Sequence, residues 1–130
     1  MGLYLGQRCE TRLVDGEHQV ATLSYQYKLY ASGTFTPGDE REALLRWEYL
    51  KHWPTDEDRW CRHHVQGPVN LGLGDGVLLK DLHLPTGYVV IEDVIRFCVA
   101  DLGVHPLSDG WHDHLMESYE LFRKESTPPR

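Results

Sequence analysis

The apolar residues of this chain change their spacing once, and that change restricts its architecture more than any other feature. In the stretches at 20–29 and 45–49 they recur at every second position, the period of a strand with one face buried. From Ile91 onward they recur at intervals of three and four, the period of a helix packed along one stripe. Strands first and helices last predict an α+β domain: an antiparallel sheet of about five or six strands with two C-terminal helices packed on one face. A chain of 130 residues, 41% of them apolar, is long enough for one core and short for two. A single domain is expected over residues 1–125, with a flexible tail at 126–130. Looseness is read from the stretch "KESTPPR" onward.

The strand signals are local. Asp15-Gly16 lies between "TRLV" and "HQVATLSYQYKLY", and an Asp-Gly pair between alternating runs predicts a tight hairpin. In the second arm Leu23, Tyr25, Tyr27 and Leu29 fall on the core side. "ASGTFTPGDERE" reads as a surface loop, and in "ALLRWEYLKHW" Leu45, Trp47 and Tyr49 oppose Arg46, Glu48 and His52. A further hairpin is expected at "VNLGLGDGVLLKDLHL". Its glycines precede no helix and lack a lysine, so they make neither a dinucleotide fingerprint nor a phosphate loop.

The helical signals are as plain. In "IEDVIRFCVADLG" the stripe is Ile91, Val94, Ile95, Cys98, Val99 and Leu102, and Gly103 is placed to end the helix in a left-handed conformation. Ile95, Cys98 and Leu102 are expected to be buried against the sheet that holds Tyr25, Tyr27 and Trp47. Ser108 is placed to cap a second helix with Trp111, Leu115, Tyr119 and Phe122 on its inner face.

The chain is acidic, with 20 Asp and Glu against 13 Lys and Arg and a formal charge of −7. That balance disfavours a surface that grips nucleic acid all over and leaves room for a local basic patch. Cys9, Cys61 and Cys98 are odd in number and lack a disulfide-scaffold spacing, which predicts free thiols and a reducing, cytoplasmic setting. No signal leader and no run of about 20 apolar residues is present, so neither export nor a membrane span is expected. Gly2 follows Met1, but Gly6 stands where myristoylation favours Ser or Thr.

The chemistry concentrates in "DRWCRHHVQG", residues 58–67. Thr55 and Asp58 predict a short helical turn over 55–60. Were a helix to continue to His64, Arg59 and His64 would form an R-x4-H pair, a spacing similar to that of the HEPN family of helical ribonucleases. If the chain is extended from Trp60, the residues divide by parity. Cys61, His63 and Val65 then turn inward, while Trp60, Arg62, His64 and Gln66 share the other face, where Arg62 and His64 are expected to be exposed. Laying the preceding strand alongside with His52 opposite Trp60 sets Glu48 across from His64, Arg46 across from Gln66 and Leu50 across from Arg62. The predicted catalytic set is therefore His64, Glu48, Arg46, Arg62 and His52. An imidazole near its ordinary pKa of about 6.5 would exchange protons, a carboxylate would orient it, and guanidinium groups would hold phosphate oxygens. An exposed sheet face carrying cross-strand ion pairs of little consequence is the plainer reading of the same residues.

No cofactor is expected, and no metal either. Cys61, His63, His64, His83, His112 and His114 could supply ligands, but no C-x2-C or H-E-x-x-H spacing occurs and adjacent histidines on a strand diverge.

Taken in order, Tyr25-x-Tyr27, "LLRWEY", His52 with Pro54, the "CRHH" cluster and the "IEDVI" helix resemble the TumE family of toxins from bacterial toxin-antitoxin modules over about residues 25–100. Glu48 stands where that family's pattern has aspartate. The resemblance implies a small α+β growth inhibitor restrained by a partner antitoxin, with Arg46, Glu48, His52, His63 and His64 as the positions that carry over. Two functions follow as expectations. One is a metal-independent ribonuclease or other phosphate-directed toxin. The other is a non-catalytic acidic protein that occupies a basic site on a target protein.

Overall fold

The computed structural model describes residues 1–31, 43–51, 63–68, 72 and 84–127. The fold is α+β, with elements in the order β1 (Gly2–Val14), β2 (Glu17–Tyr30), β3 (Leu45–Leu50), β4 (His63–Gln66), β5 (Leu84–Pro85), α1 (Ile91–Ala100), α2 (Trp111–Glu125) and β6 (Ser126–Thr127). The sheet runs β1-β2-β3-β4-β5, and β6 joins it as a parallel neighbour of β2. Asp15 and Gly16 form the two-residue turn between β1 and β2, with φ of 51° and 84°. Both angles are positive, as the favoured hairpin turn demands, and glycine reaches that region without steric cost.

The backbone gathers into two compact units, one of Met1–Arg8 with Leu23–Gly87, the other of Cys9–Thr22 with Tyr88–Arg130. In the first, β2 and β3 pair antiparallel with Tyr25 opposite Tyr49 and Gln26 opposite Glu48. In turn, β3 and β4 pair with Tyr49 opposite His63, Glu48 opposite His64 and Arg46 opposite Gln66. These last two pairs are those that the alternation of the two strands predicts. Tyr25, Tyr27, Leu29 and Tyr49 are buried, while Leu23 is half-buried. Gly67 marks a close approach: a Cβ there would fall on the carbonyl oxygen of Leu44, well inside contact distance.

In the second unit α1 and α2 pack on each other. The Val90 amide donates to the Asp93 carboxylate at 3.4 Å, and acidic Glu92 and Asp93 occupy the first turn, which suits the positive end of the helix dipole. The helix ends as expected, with Gly103 at φ 70° and the Val104 amide donating to the Cys98 carbonyl at 3.0 Å. Of its predicted stripe, Val94 and Cys98 are buried and Ile95 is half-buried. Leu102 lies in the turn beyond the helix and is 40% exposed, because the chain has already left helical geometry there. Trp111, Leu115, Tyr119 and Phe122 are the least exposed residues of α2. Ser108 sits one turn before the helix and accepts from the Gly110 amide at 3.3 Å rather than acting as the cap itself. The residues expected to be loose are partly ordered: α2 includes Lys124 and Glu125, and Ser126 and Thr127 pair with Val20 and Ala21.

His64 lies in an extended segment, so the helical arginine-histidine alternative is overturned. Arg59 itself lies outside the described residues, as do the expected turn at 55–60, all but residue 31 of the expected loop at 31–42 and all but residues 72 and 84 of the expected hairpin at 69–84. Among the described residues no helix is long and apolar enough to cross a membrane.

Candidate functional site

Three neighbouring strands of the first unit deliver alternate residues to one polar cluster. Gln26 comes from β2, Arg46 and Glu48 from β3, His64 and Gln66 from β4, and each lies opposite another across the ladder. Glu48 is the hub. One carboxylate oxygen lies 3.4 Å from the Arg46 Nε and accepts from the Gln26 side-chain amide, while the other lies 3.4 Å from the His64 Nε2. The Arg46 guanidinium also donates to the Gln66 Oε1 at 2.5 Å. Burial alone would push the Glu48 carboxyl up, but hydrogen bonds from His64 and Gln26 and the charge of Arg46 outweigh it and hold the pKa below its ordinary 4.5.

The cluster brings together three of the five predicted residues: Arg46, Glu48 and His64. His52 and Arg62 lie outside the described residues, as do Cys61 and His83. The predicted orientation of β4 requires correction. His64 was expected on an exposed face, yet it is 1% exposed, and Gln66 is buried with it. Parity between Cys61 and Val65 suggested one apolar and one wet face, but burial reaches residues on both sides of the β3–β4 ladder, Tyr49 among aromatic rings and His64 with Gln66 on the polar side. A histidine tolerates such a position when its ring nitrogen meets a carboxylate. Arg46 remains the accessible member, with a side chain 39% exposed against 22% for Glu48.

On the other face His63 is half-buried. Its Nδ1 lies 3.1 Å from the Tyr25 hydroxyl, and its ring stacks on Tyr49 at 4.3 Å and 6°. This is the partly buried, hydrogen-bonded role expected of it, although His63 is the less buried of the two histidines, the reverse of the expected order. Tyr25 also stacks on Tyr27 at 4.8 Å, so the tyrosines act as core packing here. Gln26 was missed as a member of the polar cluster. Carrying the cross-strand pairing one strand further, from β3 to β2, would have found it.

Beside the cluster lies a cleft of about 580 Å³, lined among others by Tyr4, Gly6 and Arg8 of β1, Ser24 and Gln26 of β2, and Glu48. Sequence reasoning gave β1 no functional role, because its mixed pattern carries no motif. Among the described residues no group of three or more His, Cys, Asp or Glu side chains could hold a metal ion. His112 and His114 are exposed on α2, with His112 beside Asp113 at 3.8 Å. Cys9 and Cys98 are free thiols, and burial pushes the Cys98 thiol up, away from reactivity.

No family model, no curated protein and no solved structure matches the chain.

Proposed function

We propose that this chain is a toxin-like, phosphate-directed protein that cleaves RNA and is restrained by a partner protein. The observation that carries the reading is the half-exposed Arg46 guanidinium, held from behind by Glu48 and Gln66. An arginine fixed in this way presents its remaining donors in a constant direction, and its planar fork matches the oxygens of a phosphodiester.

In this reading Arg46 binds a non-bridging phosphate oxygen and stabilises the charge that grows on phosphorus. Glu48, ionised and partly accessible, accepts the proton of the adjacent 2′-hydroxyl. The 2′-oxygen bonds to phosphorus, the bond from phosphorus to the 5′-oxygen breaks, and the departing oxygen takes up a proton through solvent. The products are a 2′,3′-cyclic phosphate and a 5′-hydroxyl. His64 is buried behind Glu48 and acts as a positioning residue, holding the carboxylate in place.

The test is expression of the chain alone in a bacterial host, together with RNA cleavage by purified protein in the presence of chelator. Arg46→Ala and Glu48→Gln should each abolish growth inhibition and reduce cleavage at least ~100-fold, the scale of general-base and charge-stabilisation losses. A wild-type chain that neither slows growth nor cuts RNA overturns the proposal.

A second reading is favoured by a different observation. Glu48 is engaged on both oxygens by Gln26, Arg46 and His64, as in a polar network that serves only to fix strand register. The chain is then a non-catalytic acidic protein that covers a basic site on a target. Retention of growth inhibition by Arg46→Ala and Glu48→Gln, with no cleavage by any form, would select it.

A further inference from the structure

The cleft beside the polar cluster has a chemistry unlike that of the chain as a whole. Tyr4, Gly6 and Arg8 alternate along β1 and line it together with Gln26 and Glu48. Gly6 has a specific use here. A Cβ at that position would meet the Tyr4 ring at 3.1 to 3.4 Å, so the ring lies down over a strand position that has no side chain. The Lys28 ammonium stands 5.8 Å from the centre of the same ring, and Lys28 is itself opposite Arg46 in the β2–β3 ladder. Arg8 is exposed. Arg8 lines the cleft, Lys28 stands beside the lining ring of Tyr4, and Arg46 contacts the lining carboxylate of Glu48, so among the described residues three cations lie in or next to a cleft that one carboxylate lines. In a protein of charge −7 this is a local reversal of sign.

We infer that this cleft receives one unpaired nucleotide of single-stranded RNA, with its base against the Tyr4 ring and its flanking phosphates at Arg8 and Lys28. The inference rests on the phosphate-directed reading of Arg46 and extends it from one phosphate to the neighbouring residue of the strand. Three features select this occupant. Cations at the rim complement a phosphate backbone. An aromatic ring on a sheet surface is the usual platform for an unstacked base. The volume suits a small polar ligand and excludes a duplex, whose bases are paired and stacked away from any side chain in a cleft.

The probe is a fluorescently labelled single-stranded RNA oligonucleotide, 2′-O-methylated so that the 2′-oxygen cannot attack, and the same oligonucleotide annealed to its complement. Binding is read by anisotropy over a series of salt concentrations. The wild-type chain should bind the single strand at least about tenfold more tightly than the duplex. Tyr4→Leu should weaken binding about tenfold, as expected for the loss of one stacked base, while Tyr4→Phe should bind like the wild type. Gly6→Val, which displaces the ring, should act like Tyr4→Leu. Arg8→Gln should lower the slope of log affinity against log salt by about one. Equal affinity for strand and duplex, unchanged binding by Tyr4→Leu and Arg8→Gln, or no binding at all would overturn the inference. Cleavage and growth inhibition are scored separately with unmodified RNA. A chain that cuts RNA yet binds without regard to Tyr4 and Arg8 refutes the cleft alone. A chain that binds single strands through Tyr4 and Arg8 yet never cuts refutes the ribonuclease reading alone.

Discussion

A buried imidazole must meet a polar partner or forfeit its hydrogen bonds with water, and at His64 the Glu48 carboxylate supplies that partner. Removing the ring leaves a half-buried carboxylate oxygen without its neighbour. His64→Gln should therefore destabilise the fold by about 1–3 kcal/mol, measured by chemical denaturation, and activity should fall through misplacement of Glu48 as well as through loss of folded protein. An unchanged denaturation midpoint would refute the positioning role. Glu48 itself carries a pH signature. Its carboxyl is held below 4.5 in the folded chain, so the folded state binds fewer protons than the unfolded one as pH falls. The stabilisation is then fully present above the unfolded value and is lost as pH drops through the folded one. Thermal melts of wild type and Glu48→Gln should differ most near neutral pH and converge below about 4.5. A difference that does not vary with pH would show that the carboxylate contributes through packing rather than charge.

Among the elements, β3 and β4 bear the constraint that matters most to the site. Their register sets Glu48 against His64, and it is bounded at one end by Gly67, whose missing Cβ makes room for the Leu44 carbonyl. Gly67→Ala must separate the two strands there. Overpacking of this kind costs about 1–3 kcal/mol, and because the blocking atom belongs to the backbone the relief must come from strand movement. The expected result is a lower melting temperature together with weakened Arg46-dependent activity. Wild-type stability and activity in this variant would show that the close approach is not a constraint. The helices depend on different terms: α1 buries Val94 and Cys98, whereas α2 has no fully buried residue. The pairing of α2 with α1 includes the Ser118 hydroxyl donating to the carboxylate of buried Glu92 at 2.5 Å.

For the whole molecule, charge and chain ends carry the remaining expectations. The formal charge of −7 opposes non-specific attachment to nucleic acid, so any RNA contact must be local and sensitive to salt. At the C-terminal end, Ser126 and Thr127 extend the sheet beside Val20 and Ala21, and the Ser126 hydroxyl donates to the Phe122 carbonyl at 2.5 Å. Ending the chain at Glu125 should remove about 1 kcal/mol, visible as a fall of a few degrees in melting temperature. No shift would mean that this pairing contributes nothing to stability.

The periods of the apolar residues and the turn at Asp15-Gly16 determined the α+β class, the hairpin, the helix at Ile91–Ala100 and its end at Gly103, because each depends on contacts only a few residues apart. Alternation in two strands also sufficed to pair Glu48 with His64 and Arg46 with Gln66, since a hairpin register has few alternatives once both arms alternate. Which face would be buried was not legible. Parity says that His63 and His64 point apart, but the depth of each depends on what other segments bring to either side, and those contacts are distant in sequence. The same holds for Tyr4, Gly6 and Arg8: nothing local distinguishes them. Their place beside Gln26 and Glu48 arises only when β1 returns along the sheet, because side chains far apart in the chain acquire a shared environment through tertiary pairing alone.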